Sequence, residues 1–332
     1  MLILYAQTYL HPGAGSATGV VDLPIQREVN TQFPYIAGSG IKGSLRDKAE
    51  ALEGILEDVD LSDVGEGDDS GTAPASHGHD QERSGAQERL QRLRAGRARV
   101  SAVFGPEPRA SDDYASCIAV GDAKILAMPV RSLTRTFFWV TSPIALARLE
   151  RDLVAIGERP GWHIPAPQSE TARVPQGCLV SGQLMLEELN FNVETDDGVG
   201  RIARYIATNL LPEGIGQTFV DKFTRDFAVV SDDDFTHLVR FGTQVSARIA
   251  LNSRKTTTGD GGNLWYEETL PPETILCSLL FANTPRNAGQ AGAPFGSAAE
   301  AMRYVREVLA DGYLQVGGNE TLGQGWCLVR VR

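Results

Sequence analysis

The chain has 332 residues, with 42 acidic side chains against 31 Lys and Arg and a formal net charge of −11. That length supports a sizeable core in one large domain or two small ones, and a 42% apolar content is ordinary for a globular protein. The acidic balance argues against indiscriminate nucleic-acid binding. Four scattered cysteines argue against a disulfide framework or a zinc site, and the absence of any run of 18 apolar residues argues against a transmembrane helix. The N-terminal MLILYAQTYLHP has no basic lead-in and reads as a strand, not a signal peptide. A cytoplasmic protein without a membrane partner is expected.

Residues 2–10 alternate well enough for a first strand. A long loop follows over 11–38, and a loop of that length in a compact domain is usually functional. Asp22 is its isolated acid, the only one between Met1 and Arg27. The Gly38-Ser39-Gly40 turn then opens onto a helix from Ile41 to about Leu56, in which Ile41, Leu45, Ala49 and Leu52 recur at helical spacing. Ser39 is the candidate cap. A Gly-rich turn exposes backbone N–H groups, a helix start adds partial positive charge, and Lys42 and Arg46 share one face at i, i+4. Together they form a candidate phosphate seat.

Composition changes over 57–100. Residues 57–69 carry seven acids and no base, and 57–100 as a whole reads as a polar insertion, disordered over 58–80 with a short polar helix at 81–94. Acids gathered there leave the bases elsewhere free to set local fields. Strands are expected at 117–130 and 135–141, a helix at 143–156 behind Pro143, and irregular chain through the Pro-rich 160–175. One or two strands are expected at 178–193, a helix at 199–211 ended by Pro212, and another helix after Ser231. Residues 244–270 read as an extended hairpin with a basic tip at Arg254 and Lys255. A strand at 274–283, a helix at 297–310 and a strand–loop–strand unit with GGNETLGQG at 317–325 complete the chain.

This order suggests an α+β fold around an antiparallel sheet, ferredoxin-like or RRM-like. The segments HPGAGSATGVVDLPIQRE, IAGSGIKGSLRD, VFGP, GDAKILAMPVRS, FFWVTSPIAL, RIALNSRKTTTG, LWYEETLP and VGGNETLGQG occur in this order. The chain thereby resembles the repeated backbone subunit of type III-B (Cmr) CRISPR effector complexes, in the RAMP superfamily, over nearly its whole length except 57–100. The resemblance implies a single RAMP domain over 1–332, a modified RRM palm with a thumb hairpin at 244–270. It implies further copies in a helical filament, other Cmr-complex subunits, guide RNA and complementary target RNA as partners, and cleavage of the target with a divalent metal such as Mg²⁺.

By motif position the cleaving and metal-binding residue is Asp22, with His11 and Glu28 as candidate assistants. Candidate RNA contacts are Gly38, Ser39, Gly40, Lys42, Arg46, Arg131, Arg254, Lys255, Gly317, Gly318, Gly323 and Gly325. Each has a plainer reading. Asp22 can shape a turn, His11 can end a strand, the cations can be solvated, and the 317–325 loop can be a tight turn packed against the first loop. A binding-only scaffold and a stand-alone RAMP endoribonuclease acting on guide precursors remain as alternatives.

Overall fold

Residues 1–17, 19–55, 77–106, 115–180, 182–250 and 264–332 are described in a computed structural model of the chain, with backbone alone for 77–84 and 86. The elements in order are β1 (Leu2–Ala6), β2 (Tyr35–Ile36), α1 (Gly38–Leu52), α2 (His77–Phe104), β3 (Ile118–Val120), β4 (Ala123–Ser132), β5 (Thr136–Thr141) and α3 (Pro143–Ala155). There follow β6 (Thr171–Val174), β7 (Gln183–Leu186), β8 (Leu189–Thr195), α4 (Asp197–Tyr205), α5 (Gln217–Arg225), β9 (Phe227–Val229), α6 (Asp232–Phe241), β10 (Gln244–Ile249) and β11 (Leu264–Thr269). The chain closes with β12 (Ile275–Ser278), β13 (Leu280–Ala282), α7 (Ala298–Val308), β14 (Tyr313–Gln315) and β15 (Trp326–Val331).

The chain divides into two compact units. The first comprises Met1–Ile41, Val120–Leu280 and Leu309–Arg332; the second comprises Lys42–Ala119 and Phe281–Val308. The first unit holds a large, mostly antiparallel sheet in the order β14-β15-β1-β12-β4-β5-β9-β6-β8-β7, with β2 beside β4. Ser132 of β4 also pairs with Leu186 of β7. β1 lies between β12 and β15 and is buried along its whole length; a strand covered on both faces reads as a continuous apolar run. Ile3, Tyr5, Trp139, Leu149, Ile202, Phe223 and Phe227 belong to the core beneath the sheet.

Local chemistry accounts for the helix starts. Ser142 takes the Ala145 N–H at 3.3 Å ahead of Pro143, a residue whose missing N–H costs nothing in a first turn. Ser231 takes the Asp234 N–H at 3.1 Å, and three acids occupy the first turn of α6. α4 passes into a π-helical turn over Ile206–Leu210, and Leu211 turns extended ahead of Pro212.

Several expectations need correcting. The polar insertion is not disordered throughout: α2 runs for 28 residues and begins at His77, within the stretch read as disordered, while 56–76 lie outside the described residues. The expected strand 117–130 is two strands broken at Gly121, where a β-carbon would lie 3.3 Å from the Leu279 carbonyl. The strand expected at 274–283 breaks at Leu279, and the irregular 160–175 stretch contains β6. α1 begins at Gly38 and Ser39 does not cap it; the Asp122 carboxylate accepts the Gly38 N–H at 2.8 Å. β10 and β11 pair antiparallel from Gln244 with Thr269 to Ile249 with Leu264, as a hairpin requires, and Arg254 and Lys255 lie outside the described residues.

Candidate active site

The first loop is stitched to β11, all within the first unit. Leu23 pairs in parallel with Glu267. Its N–H donates to the Tyr266 carbonyl at 3.0 Å, and its carbonyl accepts from the Glu268 N–H at 3.0 Å. Asp22 therefore sits at the end of a short ladder. Its Oδ2 accepts the Tyr266 N–H at 2.7 Å, and its backbone carbonyl accepts from the Ala17 N–H at 2.9 Å. Among the described residues Oδ1 has no protein partner, so Asp22 is half-buried with one oxygen fixed and one free.

His11 is buried beside this seam. Its Nδ1 lies 2.7 Å from the Glu268 carbonyl oxygen. A carbonyl can only accept, so Nδ1 carries the proton and Nε2 of the neutral ring is unprotonated. Gly13 passes so close that a β-carbon there would sit 3.0 Å from Nε2.

The 317–325 loop packs on the same histidine. Gly318 N–H donates to the His11 carbonyl at 3.0 Å, and a β-carbon on Gly317 (φ 86°) would lie 2.6 Å from that carbonyl oxygen. Gly325 N–H donates to the Tyr9 carbonyl at 2.8 Å. Gly323 takes φ 76° with no heavy atom within 4 Å of its β position. The structure thus brings Gly317 and Gly318 to His11, the plainer reading of that loop.

Two buried carboxylates, which in the sequence are plain strand residues, complete the seam. Glu267 is 3% exposed and faces Arg248 Nε at 3.0 Å, His11 Nδ1 at 3.8 Å and the Asn319 side-chain amide. Glu268 is 7% exposed and accepts from Arg27 Nη2 at 2.5 Å, Thr243 Oγ1 at 2.8 Å and the Ile25 N–H at 3.1 Å. Adjacent acids in an otherwise aromatic and apolar strand, LWYEET, were the available signal. A strand between solvent and core exposes one of two neighbours, but here the first loop covers the second.

The other candidates are distributed elsewhere. Glu28 is engaged by Arg148 on both oxygens at 3.0 and 2.9 Å and by Thr31 Oγ1 at 2.5 Å. Arg131 is largely exposed and pairs with Glu187 at 3.0 Å. A β-carbon on Gly38 would overlap the Val120 carbonyl, so that position admits only glycine, while Ser39 and Gly40 are exposed. In the second unit, Arg46 spends its donors on Glu50 at 2.7 Å and on the Gly105 carbonyl at 3.1 Å. Lys42 has no acid within ion-pairing distance among the described residues. Burial, and then the Arg46 charge, lower its pKa.

Among the described residues no three His, Cys, Asp or Glu side chains converge on a metal position. The free Asp22 oxygen still fits a Mg²⁺ ion that draws most of its oxygens from substrate phosphate and water, the usual habit of that ion.

The family model of the RAMP superfamily matches residues 3–328. The chain belongs to the RAMP superfamily. This RAMP chain is 32% identical over 333 residues to the CRISPR system Cmr endoribonuclease Cmr4 of Pyrococcus furiosus, covering 99% of this chain and 94% of that protein. The crystal structure of oligomeric Cmr4 from the same organism superposes with a TM-score of 0.63 at 28% identity, covering 99% of this chain and 95% of that one. A cryo-EM structure of the type III-B Cmr-beta complex bound to cognate target RNA matches with a TM-score of 0.63 at 17% identity, covering 99% and 95%. At that identity the likeness is one of fold. The mixed α/β architecture is therefore that of the RAMP family, as the sequence motifs implied.

Proposed function

We propose that this chain is the repeated backbone subunit of a type III-B CRISPR effector of the cytoplasm. It holds guide RNA along a multi-copy filament beside other Cmr-complex subunits and cleaves complementary target RNA at regular intervals. The observation that carries the reading is Asp22: an isolated carboxylate with one oxygen pinned by the Tyr266 N–H and the other without a partner among the described residues. The Cmr endoribonuclease relative, similar along the full chain, supports it. In this reading the sheet of the first unit is the palm and β10–β11 the thumb. Lys42 and the exposed Ser39–Gly40 turn face guide phosphates, contacts that carry no base information.

A lone carboxylate suffices if the RNA supplies its own nucleophile. The 2′-hydroxyl attacks the adjacent phosphorus, the P–O5′ bond breaks, and the departing 5′-oxygen takes up a proton, leaving a cyclic phosphate and a 5′-hydroxyl. The protein then has to hold the scissile nucleotide in line. Asp22 Oδ1 accepts the hydroxyl's hydrogen bond or holds a divalent cation. Such a cation, when bound, neutralises charge developing on the phosphate. Pinning Oδ2 fixes the side-chain rotamer before substrate arrives, so no reorganisation is needed at the moment of reaction.

The test is cleavage of a guide-complementary RNA by the assembled complex, wild type beside Asp22→Ala, with Mg²⁺ and with chelator. Regularly spaced products that disappear in Asp22→Ala and in chelator, with guide binding kept, are expected. Equal cleavage by both proteins would move the chemistry to another subunit and leave this chain a scaffold.

A further inference from the structure

We propose that Glu268, with Arg27 and Thr243, is a positioning residue for Asp22; this rests on the reading of Asp22 as the cleaving carboxylate. Glu268 is too deeply buried to touch RNA. Its bonds nevertheless go to the residues that flank Asp22. Its backbone N–H holds the Leu23 carbonyl, and its carbonyl holds the His11 ring. Its side chain takes the Ile25 N–H on Oε2, and both Arg27 Nη2 and Thr243 Oγ1 on Oε1. One residue thus grips the loop at 11, 23, 25 and 27, on both sides of Asp22.

The chemistry of the grip requires an ionised carboxylate. Three donors converge on it, and one is a guanidinium; an ionised carboxylate is acceptor-only, so it alone meets all three without offering a donor of its own. Arg27 carries the restraint outward. Its Nη1 donates at 3.0 Å to the carbonyls of Gln32 and of Val239 in α6. The loop is therefore referenced to β11 on one side and to α6 on the other. Without the Glu268 carboxylate, the Ile25 N–H and Arg27 Nη2 lose their acceptor, and the loop loses its side-chain tie to β11. The Leu23–Tyr266 ladder that sets Asp22 Oδ2 on the Tyr266 N–H then loses its support. A displacement of about 1 Å at a catalytic group can cost about 100-fold in rate.

The experiment is single-turnover cleavage of guide-complementary RNA by the assembled complex, comparing wild type, Asp22→Ala, Glu268→Gln and Thr243→Ala. Target affinity, rate constant and reaction amplitude are read separately. The proposal expects unchanged affinity and product spacing, a rate constant about 100-fold lower for Glu268→Gln and about 10-fold lower for Thr243→Ala, and full amplitude. A residue that merely stabilises the fold would lower the amplitude, the fraction of intact sites, and leave the rate constant alone; that result overturns the proposal. If Glu268→Gln does not assemble, Thr243→Ala decides by the same criterion. An inert Asp22→Ala beside wild-type rate constants for Glu268→Gln and Thr243→Ala removes the positioning role only. Cleavage by Asp22→Ala removes the reading of Asp22 and the positioning role with it.

Discussion

Lys42 and Arg46 are indistinguishable in the sequence, two cations a helical turn apart, and the structure separates them. Arg46 is a strut between α1 and the carbonyls after α2, whereas Lys42 is partly buried with no acid to pair with among the described residues. A phosphate is the natural partner for such an ammonium, so Lys42→Ala should weaken guide binding and reduce the slope of log affinity against log salt by about 1. Arg46→Ala should instead lower the melting temperature with little change in that slope. An unaltered slope in Lys42→Ala would remove it as a phosphate ligand. A second residue-scale consequence lies at Glu273, just before β12. It takes φ 72°, its carboxylate meets the Tyr5 hydroxyl, and burial pushes its pKa from 4.5 up to about 7. The unfolded chain releases this proton near the ordinary value and the folded chain only near about 7. Folding therefore takes up a proton between those limits, so this group's contribution to stability falls as pH rises through that window and levels off above it. Melting temperatures of wild type and Glu273→Gln, followed across the window, should converge toward low pH and separate toward neutral pH, the variant being the more stable. Parallel curves would show that Glu273 does not titrate there.

At the scale of elements, legibility followed how much of each segment's stability is local. α3, α6 and α7 carry helical spacing, and α3 and α6 also carry caps within their own few residues, so their positions could be read directly. β9 could not: Phe227–Val229 is three residues long, and it becomes a strand by pairing with β5 and β6 in the middle of a sheet. β6 was hidden for the same reason among prolines, and its four residues pair with β8. Helix α2 shows the converse. Its first turns are strongly polar, a composition that suggests no packing, but its last turns bury Val100, Ala102, Val103 and Phe104. Gly96 is the first buried position of α2 among the side chains described, and a β-carbon there would lie 2.8 Å from Glu53 Cβ in α1's wake. The loop that carries Asp22 sits between these cases. Asp22 stands out as the only acid between Met1 and Arg27, yet its partner β11 is more than 240 residues away along the chain, and the paired acids of LWYEET do not by themselves say what covers them.

Across the whole chain, the motifs identified the family, and long-range pairing supplied what no local segment carries. The composition shift over 57–100 is one of the features that sequence and structure divide differently, and it yields a test at this scale. Deletion of 60–95 removes the polar turns, with only Leu90 and Leu93 half-buried among their described side chains, and keeps the four buried residues that close α2. Glu53 and Gly96 are already in contact, so the five residues after Gly54 need only return the chain to its starting point. Closing a shorter loop lowers the entropy lost on folding, though only slowly with length. The shortened protein should therefore stay soluble, melt within a few degrees of the full chain, bind guide RNA and cleave target at the same spacing. It also sheds much of the acidic excess concentrated at 57–69, so its affinity for guide at low salt should rise if that charge repels RNA at a distance. Insoluble protein would show instead that the polar turns of α2 are structural, and that exposure along a helix is a poor guide to what the chain can lose.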